Sequence, residues 1–239
     1  MAIRSDDIQP LRTFSLLPIS PLRTPNSCFD TQSQGPVTDV KDTALRCYEL
    51  DSTVAASTGI ATVSAGSNVG FKASNTMGHP GYFSAYMSAA SPAANSPSAA
   101  TGASWFKIWE WAPRYAKDKG LIFDSVNLNA VNFTIPKTLP NGQYLLRIEQ
   151  IALHIAGAPQ FYIGCAQVNI VNGGSGSPGP KVAIPGVYSG SEVGLTLNQY
   201  NLPAGFTGYP SRKCRFYVEL VVWLTICFSW SCCLEGLRM

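Results

Sequence analysis

The chain has 239 residues, of which 46% are hydrophobic and only 13% charged, and its formal net charge is +3. Such a chain is too apolar for a disordered protein and too sparsely charged for a coiled coil. It carries no basic run, so nucleic acid is not an expected partner, and its length suits one large all-β domain or two small ones.

Residues 1–35 are rich in Pro, Ser and Arg and show no sustained hydrophobic period. They read as coil, an irregular segment foreign to the rest of the chain. Their one apolar stretch, Phe14 to Ile19, is broken by Pro18. Asp6 and Asp7 stand where a secretory leader would be basic, so no leader is expected in this stretch.

Residues 36–210 read as many short strands separated by Gly, Pro, Asn and Ser. Ala61 to Val63 and Val69 to Phe71 flank Ala65-Gly66-Ser67-Asn68, a hairpin pattern. Tyr82 to Met87 and Trp105 to Trp111 are aromatic-rich and suit pleated, half-buried surfaces. Ser88 to Gly102, rich in Ala, Ser and Pro, reads as a surface loop. Val131 to Ile135 alternates, and Asn141-Gly142 makes a turn before the long run Gln143 to Leu153. Phe161, Ile163 and Cys165 alternate with Tyr162, Gly164 and Ala166. The pattern predicts an all-β protein built as an immunoglobulin- or fibronectin-like antiparallel β-sandwich with long loops.

Residues 211–239 change texture again. The uncharged run Leu220 to Leu234 spans 15 residues, short of the ~20 that a membrane-spanning helix needs. No membrane association is expected, and a tethered form is the weakest alternative. Codons for Arg212-Lys213-Cys214 can spell a splice-donor sequence, which points to an intron-derived tail.

The motifs exclude several chemistries. Gly174-Ser-Gly176-Ser-Pro-Gly179 fits GxGxxG, but Pro178 and Pro180 and the lack of a helical period make it a linker. No GxSxG elbow, P-loop or HExxH occurs. The scattered carboxylates identify no glycosidase pair. Of seven cysteines, none forms CxxC. Cys47 and Cys165, each beside strand-like sequence, suit a long-range disulfide closing a loop worth about 3–5 kcal/mol; two buried free thiols are the alternative. Asn132-Phe133-Thr134 is an N-glycosylation sequon.

There are two histidines. His79 lies in the turn Met77-Gly78-His79-Pro80-Gly81, where Gly and Pro on both sides hold an imidazole on a tight loop. His154 ends the long strand-like run, and Gln160 and Tyr162 come after it with the same parity, so an amide and a phenol share one strand face. Structural roles for both histidines remain open on these residues alone.

These residues carry a resemblance. Pro36-Val-Thr-Asp-Val with Arg46-Cys47, Gly78-His79-Pro80-Gly81, Trp105-Phe-Lys-Ile and Phe133-Thr-Ile-Pro136 match in order. So do Gly142 to Arg147, Ile151 to His154, Gln160-Phe-Tyr162, Cys165-Ala-Gln167, Gly173 to Pro178, Pro185 to Tyr188 and Asn201-Leu-Pro203. Over residues 36–210 the chain resembles the fungal cellulose-active lytic polysaccharide monooxygenases of auxiliary activity family nine, formerly glycoside hydrolase family sixty-one.

The resemblance implies a secreted, monomeric β-sandwich enzyme that oxidatively cleaves cellulose or a related β-glucan. It would use one copper ion, an external electron donor, and dioxygen or hydrogen peroxide. It implies His79 and Tyr162 as metal ligands, and His154, Gln160 and Tyr162 as the groups of the reaction site. It pairs Cys47 with Cys165 and places Tyr200 and Tyr209 toward the substrate. The family's first ligand is an N-terminal histidine, and no histidine precedes His79 here. This chain is therefore expected to bind copper weakly and to have little activity. A non-catalytic polysaccharide-binding sandwich that has lost its copper site is the alternative.

Overall fold

The computed structural model describes residues 14–18, 35–47, 56, 59–73, 76–96, 98–99 and 101–210. The apolar tail 211–239 lies outside them. The described strands are β1 (Phe14–Pro18), β2 (Ala61–Ser64), β3 (Asn68–Ala73), β4 (Gly81–Ala89), β5 (Ala103–Trp111) and β6 (Arg114–Ala116). Then come β7 (Gly120–Ile122), β8 (Ala130–Thr134), β9 (Gly142–Ala152), β10 (Gln160–Val171) and β11 (Val182–Ala183). Among the described residues, α1 (Ala44–Cys47) and α2 (Val193–Thr196) are single-turn helices.

The strands form a sandwich, as the alternation predicts. One sheet has the order β1-β3-β8 and the other β11-β5-β4-β9-β10-β2, with β6-β7 as a separate ribbon. Pairing is antiparallel except where β2 runs parallel to β10 at the sheet edge. In β8, Val131 and Phe133 are buried while Asn132 and Thr134 face outward, so the small sheet has one wet face. The sequon asparagine Asn132 is thus exposed. Strands β9 and β10 are covered on both faces. Even-numbered Leu146, Ile148, Ala166 and Val168 face Val69, Phe71, Val131 and Phe133 of the small sheet. Odd-numbered Leu145, Ile151, Phe161 and Ile163 form a second core with Leu45, Trp105 and Leu195.

Two expectations are corrected. The hairpin proposed across Ala65 to Asn68 does not form, because β2 and β3 belong to different sheets. The turn is tied outward instead: Ala65 N donates to Val171 O at 2.9 Å and Gly66 N to Ile135 O at 2.8 Å. Gly66 has φ +80°, a conformation that L side chains rarely adopt, and the chain there crosses between the layers. The coil expected over residues 1–35 is interrupted by β1, which pairs antiparallel with β3 from Phe14↔Ala73 to Pro18↔Val69. Backbone pairing to an open sheet edge needs no long hydrophobic period, and the short apolar stretch from Phe14 is enough to supply the strand.

The second core holds charge. Arg147 and Glu149 are fully buried and their side chains meet at 2.6 Å. Arg147 also donates to Leu45 O and Arg46 O, while Glu149 accepts from Ser84 Oγ at 2.6 Å and from the Tyr188 hydroxyl. Buried charges persist only when paired and hydrogen-bonded in this way. The network ties α1 and the segment before α2 to β9. Beside it Cys47 and Cys165 are joined as a disulfide, with their Cα atoms 5.3 Å apart.

Candidate metal centre

Register builds the site. Gly81 of β4, Ala152 of β9 and Gln160 of β10 form one rung of the large sheet. Two rungs inward, on the same face, stand Phe83, Gln150 and Tyr162. Beyond the outer rung, β4 is preceded by the turn carrying His79, and β9 runs out into His154. Residues far apart in sequence therefore meet at one end of the sheet.

The His79 and His154 rings are stacked, with centroids 4.0 Å apart and planes 9° from parallel. The Tyr162 ring lies 5.8 Å from that of His79. Tyr162 donates its hydroxyl hydrogen to Gln160 Oε1 at 2.9 Å. His79 and Tyr162 are each only 6% exposed, while His154 and Gln160 are half-buried. His79, His154, Gln160 and Tyr162, the four residues singled out from sequence, thus lie together.

The turn before β4 is held from several sides. Met77 N donates to Leu128 O at 2.6 Å, and Leu153 N donates to Pro80 O at 2.9 Å. Gln150 Nε2 donates to His79 O at 2.8 Å. Gly81 is needed for close approach: a Cβ there would lie 2.7 Å from Ile151 O. On the other side, Gln199 Nε2 donates to Leu153 O and Tyr200 Oη to His154 O, at 2.9 and 3.2 Å, so the 199–200 segment clasps the end of β9.

Burial sets the protonation states. It pulls His79 down to about 4, helped by the neighbouring His154, and it lowers His154 as well. It pushes the Tyr162 phenol up to about 12. At neutral pH the site therefore presents two uncharged imidazoles and a protonated phenol. His154 Nδ1 is buried without a hydrogen-bond partner.

Tyr200 is 73% exposed beside the site. Tyr209 is not brought there. Its ring stacks on Tyr82 at 5.5 Å and its hydroxyl donates to Gly194 O at 2.8 Å, on the face of the large sheet opposite Tyr162. Tyr209, expected toward the substrate, does not join His79, His154, Gln160 and Tyr162; its partly buried ring packs against the second core.

Sequence reading missed Gln150. A polar residue inside an apolar run, with the parity of His154, was the available mark.

The family model for Auxiliary Activity family 9 (formerly GH61) matches residues 15–209. The chain is 60% identical over 183 residues to AA9 family lytic polysaccharide monooxygenase D of Phanerodontia chrysosporium, covering 75% of this chain and 77% of that one. The chain belongs to auxiliary activity family 9. It is also 45% identical over 172 residues to AA9 family lytic polysaccharide monooxygenase H of Malbranchea cinnamomea, covering 70% and 74% of the two chains. Its fold is similar to a cellulose-active polysaccharide monooxygenase from M. thermophila, with TM-score 0.66, 24% identity, and coverage of 84% of this chain and 97% of that one. It is similar as well to the crystal structure of HiLPMO9B, with TM-score 0.65, 26% identity, and coverage of 80% and 91%. Family 9 membership makes this chain a polysaccharide-directed oxidoreductase by kinship. The family match begins at residue 15, inside the segment expected to be foreign.

The residues present fit part of a copper site. A neutral imidazole and a phenol are donors of the kind that tetragonal copper takes, and the unpartnered His154 Nδ1 and the Gln160 amide supply polar groups beside them. Among the described residues no group of three or more His, Cys, Asp and Glu could hold a metal by itself.

Proposed function

We propose that the chain carries the copper-dependent reaction site of a secreted lytic polysaccharide monooxygenase acting on cellulose. The juxtaposition of His79, His154, Gln160 and Tyr162 at one end of the large sheet supports this reading. His79 and Tyr162 would hold the ion. When bound, copper would supply the redox chemistry that activates dioxygen, with two electrons from outside, or peroxide, for oxidation at a glycosidic carbon. Electrons would come from an external donor.

The chain's own residues have separable tasks. His79, kept neutral by burial, offers a nitrogen lone pair. Tyr162 keeps its proton, gives that hydrogen to Gln160, and retains an oxygen lone pair. His154 holds or passes a proton at a ring nitrogen, its neutral form favoured by burial. The exposed Tyr200 ring offers a sugar face a flat apolar surface beside them. A third imidazole is not found among these 239 residues, and this reading uses both of their histidines. This chain should therefore hold copper weakly.

Titration of Cu(II) into the full 239-residue protein tests this, with cello-oligosaccharide products read by mass spectrometry in the presence of a reductant. Weak binding abolished by His79→Ala, with trace oxidised products, is expected. Binding insensitive to His79→Ala would sink the assignment, and nanomolar binding with full cellulose cleavage would contradict the weakness. The shortage of imidazoles also favours a second reading, a non-catalytic polysaccharide-binding sandwich. Retention on cellulose with no copper uptake and no oxidised product would select it.

A further inference from the structure

We propose that Gln150 is a positioning residue that sets the direction of the His79 imidazole by fixing the His79 carbonyl. Its link to copper rests on the proposed metal site.

Gln150 is fully buried in β9, directly between Phe83 of β4 and Tyr162 of β10. Its face of the strand is otherwise apolar, with Ile148 and Ala152 on either side. An amide there costs stability unless its hydrogen bonds are met, and a leucine or isoleucine would pack without that cost. Half of the amide is unmet: Gln150 Oε1 is buried with no partner. The other half is well used, since Nε2 donates to His79 O at 2.8 Å. Reversing the amide would set two acceptors against each other, so the orientation is fixed by that carbonyl.

The His79 carbonyl is the point where such a bond controls the ring. Met77 and Pro80 on either side are anchored by backbone bonds to Leu128 and Leu153. Pro80 offers no N–H and restricts His79 to extended conformations. Fixing the carbonyl sets the remaining rotation at His79 and so aims its Cα–Cβ bond. The fit is tight. A Cβ on Gly81 would lie 3.0 Å from Gln150 Cγ and 3.1 Å from Nε2, so the turn sits directly on the amide. The 4.0 Å stack of His79 on His154 is built on this contact.

The test replaces the donor and keeps the length, with Gln150→Met in the full chain. Hydrogen–deuterium exchange on the metal-free protein should speed up over residues 76–81, while β9 and β10 keep their protection. Added Cu(II) should bind about tenfold or more weakly, the cost typical of losing a group that orients a ligand, with an altered electron paramagnetic resonance spectrum. Gly81→Ala, whose Cβ would press on Ile151 O and on the Gln150 side chain while leaving residue 150 unsubstituted, should move both readings the same way. Unchanged exchange over residues 76–81 in Gln150→Met would overturn the proposal, as would a uniform loss of protection across the sheet. If the wild-type chain gives no copper spectrum, the metal reading falls, and the exchange measurement alone decides whether Gln150 positions His79.

Discussion

The imidazole rings of His79 and His154 lie face to face, 4.0 Å between centroids, although 75 positions separate them in the chain. Two protonated rings could not share that space, and burial already disfavours the charged form of each. The arrangement makes folding depend on pH in a definite direction. The folded His79 pKa, about 4, lies below the ordinary 6.5, so the unfolded chain binds the proton more readily. Its contribution is fully present above about 6.5 and is lost as pH falls from there through about 4. Urea unfolding of the metal-free protein across that range should show a falling midpoint, and His79→Gln should flatten part of the slope. Identical slopes in the two proteins would refute this.

The disulfide predicts a stability difference without a change of site. Cys47 and Cys165 are 118 positions apart, so their bond removes much freedom from the unfolded chain. The double variant Cys47→Ala/Cys165→Ala should lose about 3–5 kcal/mol in chemical denaturation. A loss under about 1 kcal/mol would mean that α1 stays docked through the Arg147 bonds to Leu45 and Arg46 alone.

Breaking the buried ion pair should be worse than removing it. Arg147→Met leaves Glu149 charged among Ser84, Tyr188 and no cation, an expected cost of about 3–5 kcal/mol. Arg147→Met/Glu149→Leu should recover a substantial part of that. A double variant as unstable as the sum of its singles would show that the two residues act independently.

Tyr200 separates binding from folding. Its ring is 73% exposed and its one described side-chain bond is to His154 O. Tyr200→Ala should change the unfolding free energy by no more than about 0.5 kcal/mol, as surface changes usually do, while reducing retention on cellulose. Tyr200→Phe should retain cellulose like the parent. Equal retention by the alanine variant would remove Tyr200 from the substrate surface.

Much of the site was legible. Gly and Pro around His79 marked a tight turn, and the shared parity of Gln160 and Tyr162 put an amide and a phenol on one face, where they are now hydrogen-bonded. The position of the Tyr209 ring was not legible, because an aromatic in a loop looks the same whether its ring faces solvent or, as here, packs on Tyr82. Gln150 went unnoticed because its partner is a backbone carbonyl, which every residue has.

Local sequence determined the strands, their inward and outward faces and the turns, since alternation with period two and Gly/Pro punctuation are properties of neighbouring residues. The tertiary structure decided register. It placed Gly81, Ala152 and Gln160 on one rung, split β2 and β3 between two sheets, and recruited Phe14–Pro18 as a strand. Those outcomes depend on backbone bonds and packing between segments tens of residues apart, whose pairing no local pattern specifies.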